Sequence, residues 1–380
     1  MLRPHARQTE PVNQPTRRAT ALLSPRQLDP RRNSLNMFRL VLALGVLVAH
    51  AFTLAGRPEP FWQGESIGGW AVSGFFIISG YLITASRMRT HLTEYLVHRI
   101  ARIFPAFLMS LVVVVVIFAP LGYYQANGTL SGYLTTGNTP LNHVYSSMFL
   151  QMGDYSVAGT PTGVPYPGAW NGSLWSLYYE FLCYLAIAFL ALLPVVKRSP
   201  WPIAVAFGLS VVAQAKVGAV SNLFGGNVDA VLMCKLLPYF LGGSLVYMLR
   251  ERIPLRAVVG IGSAAVAFGL IMLWPQWGGQ AASPFLAVTL LWLATVIPSP
   301  KVLATHDISY GVYIYTFPIQ QLLAVYGFHE SFVLYMVLTA VIVVIPATAS
   351  WLLLERRVMK HVRTYDHRRV WALAKEEPAI

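Results

Sequence analysis

Ten stretches of the chain are apolar for long enough to matter: 35–55, 67–85, 102–121, 172–193, 201–218, 231–249, 257–274, 284–299, 308–327 and 331–354. About 20 apolar residues in a helix cross the ~30 Å hydrocarbon core of a bilayer. Backbone polar groups inside lipid must be satisfied within the segment, so each stretch is predicted to be a transmembrane helix. The fold class that follows is all-α, a polytopic integral membrane protein. Pro and Gly at several edges set the breaks between helices.

Between these stretches the pattern turns polar in three places. Residues 1–33 are rich in Arg, Pro, Gln and Thr and hold too few apolar residues to bury a core, which predicts a disordered basic tail. A transmembrane domain then runs over 34–356, and a second basic tail over 357–380. Ala49-His50-Ala51 after an apolar run imitates a signal-peptide cleavage site, but the run continues to Leu54 and more spans follow, so the first segment reads as an uncleaved anchor. The loop 122–170 has no Lys or Arg and many Tyr, Gly, Thr, Asn and Pro. Loops of that length are usually functional or disordered. Its Tyr145–Met152 portion is expected as a short interfacial helix. Its aromatic residues, including Tyr123, Tyr124, Tyr133, Tyr155, Tyr166 and Trp170, suit either anchoring at the membrane surface or stacking on sugar rings.

Composition agrees with the pattern: 56% of the 380 residues are hydrophobic and 11% charged. A soluble domain of this size needs far more charge to cover its surface. The formal charge of +13 is not a nucleic-acid signature here, because the basic residues cluster at the ends of apolar segments. With the N-terminus inside, 24 of the 28 Lys and Arg fall on the inner side. The positive-inside rule then places both termini in the cytoplasm. Cys183 and Cys234 lie within apolar segments and read as packed small hydrophobes.

Ionisable groups within spans carry the candidate chemistry. Arg39 and His50 are eleven residues apart in the first span, which on a helix means one face and about 16 Å of rise. Ser73-Gly74 and Ser79-Gly80 in the second span permit close packing or room for a ligand arm, with Ser79 a candidate contact. Arg99 and Arg102, at i and i+3, offer two guanidinium forks suited to phosphates. In Ser173-Leu174-Trp175-Ser176-Leu177-Tyr178-Tyr179-Glu180, Ser173, Ser176 and Glu180 share a face. Counted from the start of that helix, Glu180 lies roughly 12 Å deep, near the expected depth of His50. A carboxylate there is expected to orient the imidazole as a general base. Trp170, Trp175, Ser176 and Tyr179 are candidate acceptor contacts. Tyr310, in the Ser309–Tyr315 run beside His306 and Asp307, is a candidate donor contact. Lys235 is expected to snorkel, and for Arg39 snorkelling is the plain alternative to a binding role. No metal site is expected.

In that order these residues resemble the acyltransferase 3 family of bacterial membrane proteins over about 35–360. The resemblance rests on Arg39 with His50, Phe75–Gly80 (FFIISG), Arg99 and Arg102 followed by Pro105, Ser173–Glu180 (SLWSLYYE), Ile308–Pro318 (ISYGVYIYTFP) and Glu355-Arg356. The first motif departs from the family, reading SLNMFRL where an aspartate and glycines are usual. The resemblance implies a ten-helix enzyme of the bacterial inner membrane. It would move an acyl group, most often acetyl, from cytoplasmic acyl-coenzyme A to a hydroxyl of a surface glycan or its lipid-linked precursor. It also implies essential roles for His50, Arg39, Arg99 and Arg102. Direct transfer with His50 as base is favoured over an acyl-histidine intermediate. A small acceptor such as a macrolide, and a transporter or glycan flippase, are the competing readings.

Overall fold

A computed structural model describes residues 28, 29, 33–362 and 364 of the chain. Most of the two basic tails expected over 1–33 and 357–380 lies outside the described residues. Each of the ten apolar stretches folds as a helix, because lipid and core alike leave backbone groups no partners but their own. The long ones are α1 (Leu35–Leu54), α2 (Ile67–Arg87) and α3 (Leu92–Asn127). A 3-10 turn at Gly172–Leu174 then leads into α5 (Trp175–Leu190), after the short α4 (Pro140–Ser147) of the outer loop. The remainder are α6 (Pro194–Arg198), α7 (Trp201–Ala215), α8 (Val217–Leu223), α9 (Val228–Met248), α10 (Ala257–Leu273), α11 (Gly278–Val296), α12 (Lys301–Thr305), α13 (Ser309–Val325) and α14 (Phe332–Val362).

Seven of these helices are long and apolar enough to cross a membrane, or eight if α7 and α8 form one broken span. The expected straight span over 201–218 is instead bent by 86° at Lys216. The helices α10 and α13 have 17 residues each, short for an isolated crossing. Nearly all of α13 is buried against its neighbours, so protein rather than lipid surrounds it. A two-residue hairpin of β1 (Phe61–Trp62) and β2 (Glu65–Ser66) links α1 to α2. The helix α3 passes through a π-helical turn at Val114–Phe118, and α14 through another at Trp351–Glu355. Such turns shift the side-chain register within one helix.

Glycine sets the closest approaches. A Cβ on Gly80 of α2 would stand 1.9 Å from the Phe240 carbonyl oxygen of α9, and one on Gly243 of α9 would stand 2.1 Å from that of Ile77. Small residues at both positions let the two backbones touch. The Ser-Gly pattern of α2 is therefore first a packing device. Gly80→Ala is expected to destabilise the protein by about 1–3 kcal/mol, the range for overpacking, read as a lower thermal unfolding midpoint in detergent. An unchanged midpoint would show that the pair can separate at no cost.

The same contacts fix the register of α1 against α2. A Cβ on Gly68 would meet that of Ala49 at 2.8 Å, one on Gly45 would meet that of Ala71 at 3.3 Å, and one on Gly74 would meet Leu42 at 2.7 Å. Each step along α2 thus matches a step back along α1. By that register His50 stands level with about residue 66, and Ser79 with about residue 37.

The outer loop is folded rather than open. The helix α3 continues to Asn127 and ends at Gly128 with φ of 68°. Val114, Ala119, Tyr123, Tyr133, Val157, Ala158 and Trp170 form a small core of their own. The expected helix over Tyr145–Met152 lies instead at Pro140–Ser147, where Thr139 caps it and Pro140 takes its first position. Buried His143 ties the loop together: its Nδ1 donates to the Ser156 carbonyl at 3.1 Å and its Nε2 accepts from Asn171 at 3.2 Å. Burial lowers its pKa, which keeps it the neutral clamp that this pattern requires.

Candidate active site

Four helices meet at the inner end of the bundle around two carboxylates. Asp307 precedes α13 and pairs with Arg39 of α1 and, at 2.5 Å, with Arg102 of α3. Ser309 also donates to it. Arg102 reaches Glu355 of α14 at 3.1 Å, and Ser350 donates to the same carboxylate at 3.1 Å. The π-helical turn at Trp351–Glu355 carries Glu355 inward, where it is 1% exposed. Burial alone would raise the Asp307 carboxyl, but the guanidinium groups of Arg39 and Arg102 and the bonds from Ser309 outweigh it and hold it at about 2. Arg39 is therefore an ion-pair partner, not a snorkelling side chain.

Arg99 differs from Arg102, its neighbour one turn on. Among the described residues it has no ion pair, and its Nε is buried without a hydrogen-bond partner. Its guanidinium carbon stands 5.8 Å from the Tyr95 ring centre and 5.9 Å from that of Tyr184. Two aromatic faces thus hold a guanidinium in place and leave its donor edge unspent.

Beside this cluster lies a partly open cleft lined by Arg39, Val72, Phe75, Phe76, Ser176, Leu177, Glu180, Tyr310 and Tyr313. Tyr310 donates to the Ile103 carbonyl at 2.9 Å, and Tyr313 to that of Ser173 at 2.8 Å. Ser176 shares a 2.6 Å hydrogen bond with the Tyr313 hydroxyl. Ser79 and Tyr184 donate to Glu180 Oε1 at 2.7 and 2.6 Å.

Those bonds correct the expected pairing of Glu180 with His50. Ser79 is level with about residue 37 of α1, so its partner Glu180 sits roughly 20 Å of helix rise from His50. The depth estimate failed because α5 does not begin at the surface. Residues 170, 171, 173 and 174 are already buried where the folded loop enters the bundle. Glu180 is thereby carried past His50 to the Arg39 end.

His50 itself is half-buried near the outer end of α1, with Nδ1 buried and unpartnered. Its ring meets Phe317 of α13 edge-on at 5.1 Å, and Phe317 meets Tyr166 of the outer loop at 6.2 Å. Tyr166 is 43% exposed, so this aromatic file leads from the outer face to the imidazole. A Cβ on Gly172 would strike the Phe317 ring at 2.4 Å, so the loop packs directly over that file.

The other acceptor candidates separate. Trp170 is fully buried, its Nε1 bonded to Thr160 and its ring against Gly122, so it has no face for a sugar. Tyr179 is buried and donates to Asp229 at 2.6 Å, with Trp175 edge-on to it at 5.8 Å. Only Ser176 of the four lines the cleft. Lys235 does not snorkel but pairs with Glu65 of the hairpin at 2.7 Å. Sequence reasoning missed Phe317 and Gln320, whose side chains belong to an apolar-looking helix and gave no signal of their own.

Comparison with known proteins bears on what this arrangement does. The family model described as an acyltransferase domain, acyltransferase 3, matches residues 32–355. The chain is 30% identical over 343 residues to an "O-acetyl transferase" of Shigella phage Sf6, covering 87% of this chain and 96% of that protein. It is 25% identical over 356 residues to "Nodulation protein 10" of Rhizobium leguminosarum bv. viciae, covering 87% and 94%. No solved structure matches. A match across nearly the whole membrane domain replaces the transporter reading with group transfer: the chain belongs to the acyltransferase 3 family of integral membrane proteins and is an O-acyltransferase.

Proposed function

We propose that the protein takes an acyl group, acetyl foremost, from acyl-coenzyme A on the cytoplasmic side and delivers it to a hydroxyl of a cell-surface glycan or its lipid-linked precursor. The observation that carries this reading is a pair of unsatisfied groups at opposite ends of the bundle. Arg99 has donors and no carboxylate, His50 has an unpartnered nitrogen, and a cleft bordered by Arg39, Glu180, Tyr310 and Tyr313 lies at the Arg39 end of α1. The coenzyme phosphates bind at Arg99, because Asp307 and Glu355 already engage Arg39 and Arg102. Arg39 and Arg102 then build the entrance and add field rather than free donor groups. The pantetheine arm runs past Tyr310, Glu180 and Ser176, whose polar atoms suit its amides. The ~16 Å from Arg39 to His50 is a length such an arm spans.

At His50 the acceptor hydroxyl gives its proton to the imidazole as its oxygen attacks the thioester carbonyl. The tetrahedral intermediate collapses by breaking the carbon–sulfur bond. The departing thiolate takes the proton back from the imidazolium, which leaves an ester, coenzyme A thiol and neutral His50. The basic residues at one end of the helices support a cytoplasmic donor side, and a bacterial inner membrane is the setting this implies.

Arg99→Ala is expected to weaken coenzyme A binding at least about tenfold, since a charge-assisted hydrogen bond is worth ~1.5–3 kcal/mol. Stability should change little, because no ion pair is lost. Calorimetric titration of the purified protein with coenzyme A measures the affinity and thermal unfolding measures the stability, and unchanged affinity removes Arg99 from the donor site. Vesicles loaded with labelled acetyl-coenzyme A test the whole reading: label must appear in extravesicular glycan.

A further inference from the structure

With Glu180 far from His50, the imidazole needs another group to fix its orientation and tautomer. Which ring nitrogen carries the proton is set by the bond the other one makes. Nδ1 is the buried, unpartnered nitrogen of the half-buried ring, which leaves Nε2 to face accessible space.

Gln320 of α13 stands at the same height. Its Nε2 donates to the Leu47 carbonyl at 3.0 Å. A helix carbonyl points toward the residue four positions on, so that bond puts the Gln320 amide beside the turn of α1 that carries His50. The donor role at Leu47 also settles the amide orientation, because a carbonyl can bond only the NH2 side. Oε1 is therefore the other atom, and it is buried with no partner in a side chain that is 0% exposed. Tyr335 pins the backbone of Gln320 by donating to its carbonyl at 3.0 Å. A third orphan, Ser173 Oγ, adjoins Gly172, which packs on the Phe317 ring against His50.

We propose that Gln320 is the positioning residue of His50: its Oε1 accepts from the imidazole Nδ1–H through one bridging water shared with Ser173 Oγ. Buried polar atoms demand partners, and a water with three of them is a stable one. The bridge holds the Nδ1–H tautomer and turns Nε2 toward the acceptor hydroxyl. Gln320 touches neither substrate. The proposal rests on the reading of His50 as the base.

The test compares Gln320→Met with Gln320→Glu in purified protein. Methionine keeps the volume and loses the acceptor, so kcat should fall about 10- to 100-fold, below the ~10²–10⁴ of losing a base outright. KM for acetyl-coenzyme A should stay unchanged. Glutamate keeps an oxygen in the same place and should restore kcat to within about threefold. A methionine variant with wild-type kcat overturns the proposal, and so does a glutamate variant as slow as the methionine one, since only the Leu47 bond would then matter. If the methionine variant fails to insert, carbethoxylation of His50, followed by peptide mass spectrometry, decides between wild type and Gln320→Glu. Slower modification in the glutamate variant, whose carboxylate favours the imidazolium, supports the contact, and equal rates overturn it. His50→Ala separates the two levels: if that variant still transfers, the base assignment falls as well, whereas an inactive His50→Ala with indifferent Gln320 variants sinks only this inference.

Discussion

His50→Ala is expected to abolish transfer to the acceptor, by about 10²- to 10⁴-fold or to background, while the protein inserts and unfolds like the wild type. A positioned general base contributes a factor of that size. Stability should respond little, because the ring makes no direct hydrogen bond to a protein group through Nδ1 and its defined direct contact is one edge-on packing with Phe317. Coenzyme A should still bind, since the arginine cluster lies at the other end of α1. Label transfer, thermal unfolding and coenzyme titration on one preparation separate these effects. Retained transfer would remove His50 from the chemistry.

Asp307→Ala should act in the opposite way, on stability first. Removing one partner of a buried ion pair costs about 3–5 kcal/mol, because the charge left behind stays out of water. Asp307 serves two guanidinium groups, and only Arg102 keeps a second carboxylate in Glu355. The pH dependence has a definite sign. The carboxyl is held at about 2 in the folded protein, below its ordinary 3.8, so it contributes stability that is present above about pH 4 and lost as pH falls toward 2. The gap in Tm between wild type and Asp307→Asn, measured in detergent, should therefore narrow over that window. A gap that stays constant with pH would mean that Asp307 acts by shape and not by charge.

The pattern of apolar runs was enough to place the long helices, because hydrocarbon and packed helix neighbours impose the same demand on the backbone, but it missed the break at Lys216 and misplaced the short helix of the outer loop. It was not enough to say which helices face lipid. The α13 segment reads as a span from its apolar residues, yet it also carries Gln320 and Gln321 and is buried by its neighbours, which no local window registers. The ends of the candidate site stood out in the sequence for a similar reason: Arg39 and His50 are ionisable groups where lipid should be, and Arg99 and Arg102 share one helix face at the edge of an apolar run. Their partners did not. Asp307 and Glu355 stood in the sequence as a loop residue and a helix-end residue, and only tertiary contact makes them counterions. Glu180 was misplaced because its depth was counted from where the apolar run starts. The folded loop had already carried the chain inward, and loop folding leaves no period to count.

The counterion arrangement also bears on how the chain is made. Arg39 must wait for a carboxylate 268 residues later, and Arg102 for one 205 residues later. At roughly 5–20 residues per second, Arg102 spends on the order of 10–40 s in the membrane before Asp307 exists. Arg39 lies near one end of its helix, where water can hold a guanidinium meanwhile. The arrival of α13 and α14 then closes the bundle, so both guanidinium groups gain their counterions only when synthesis is nearly complete.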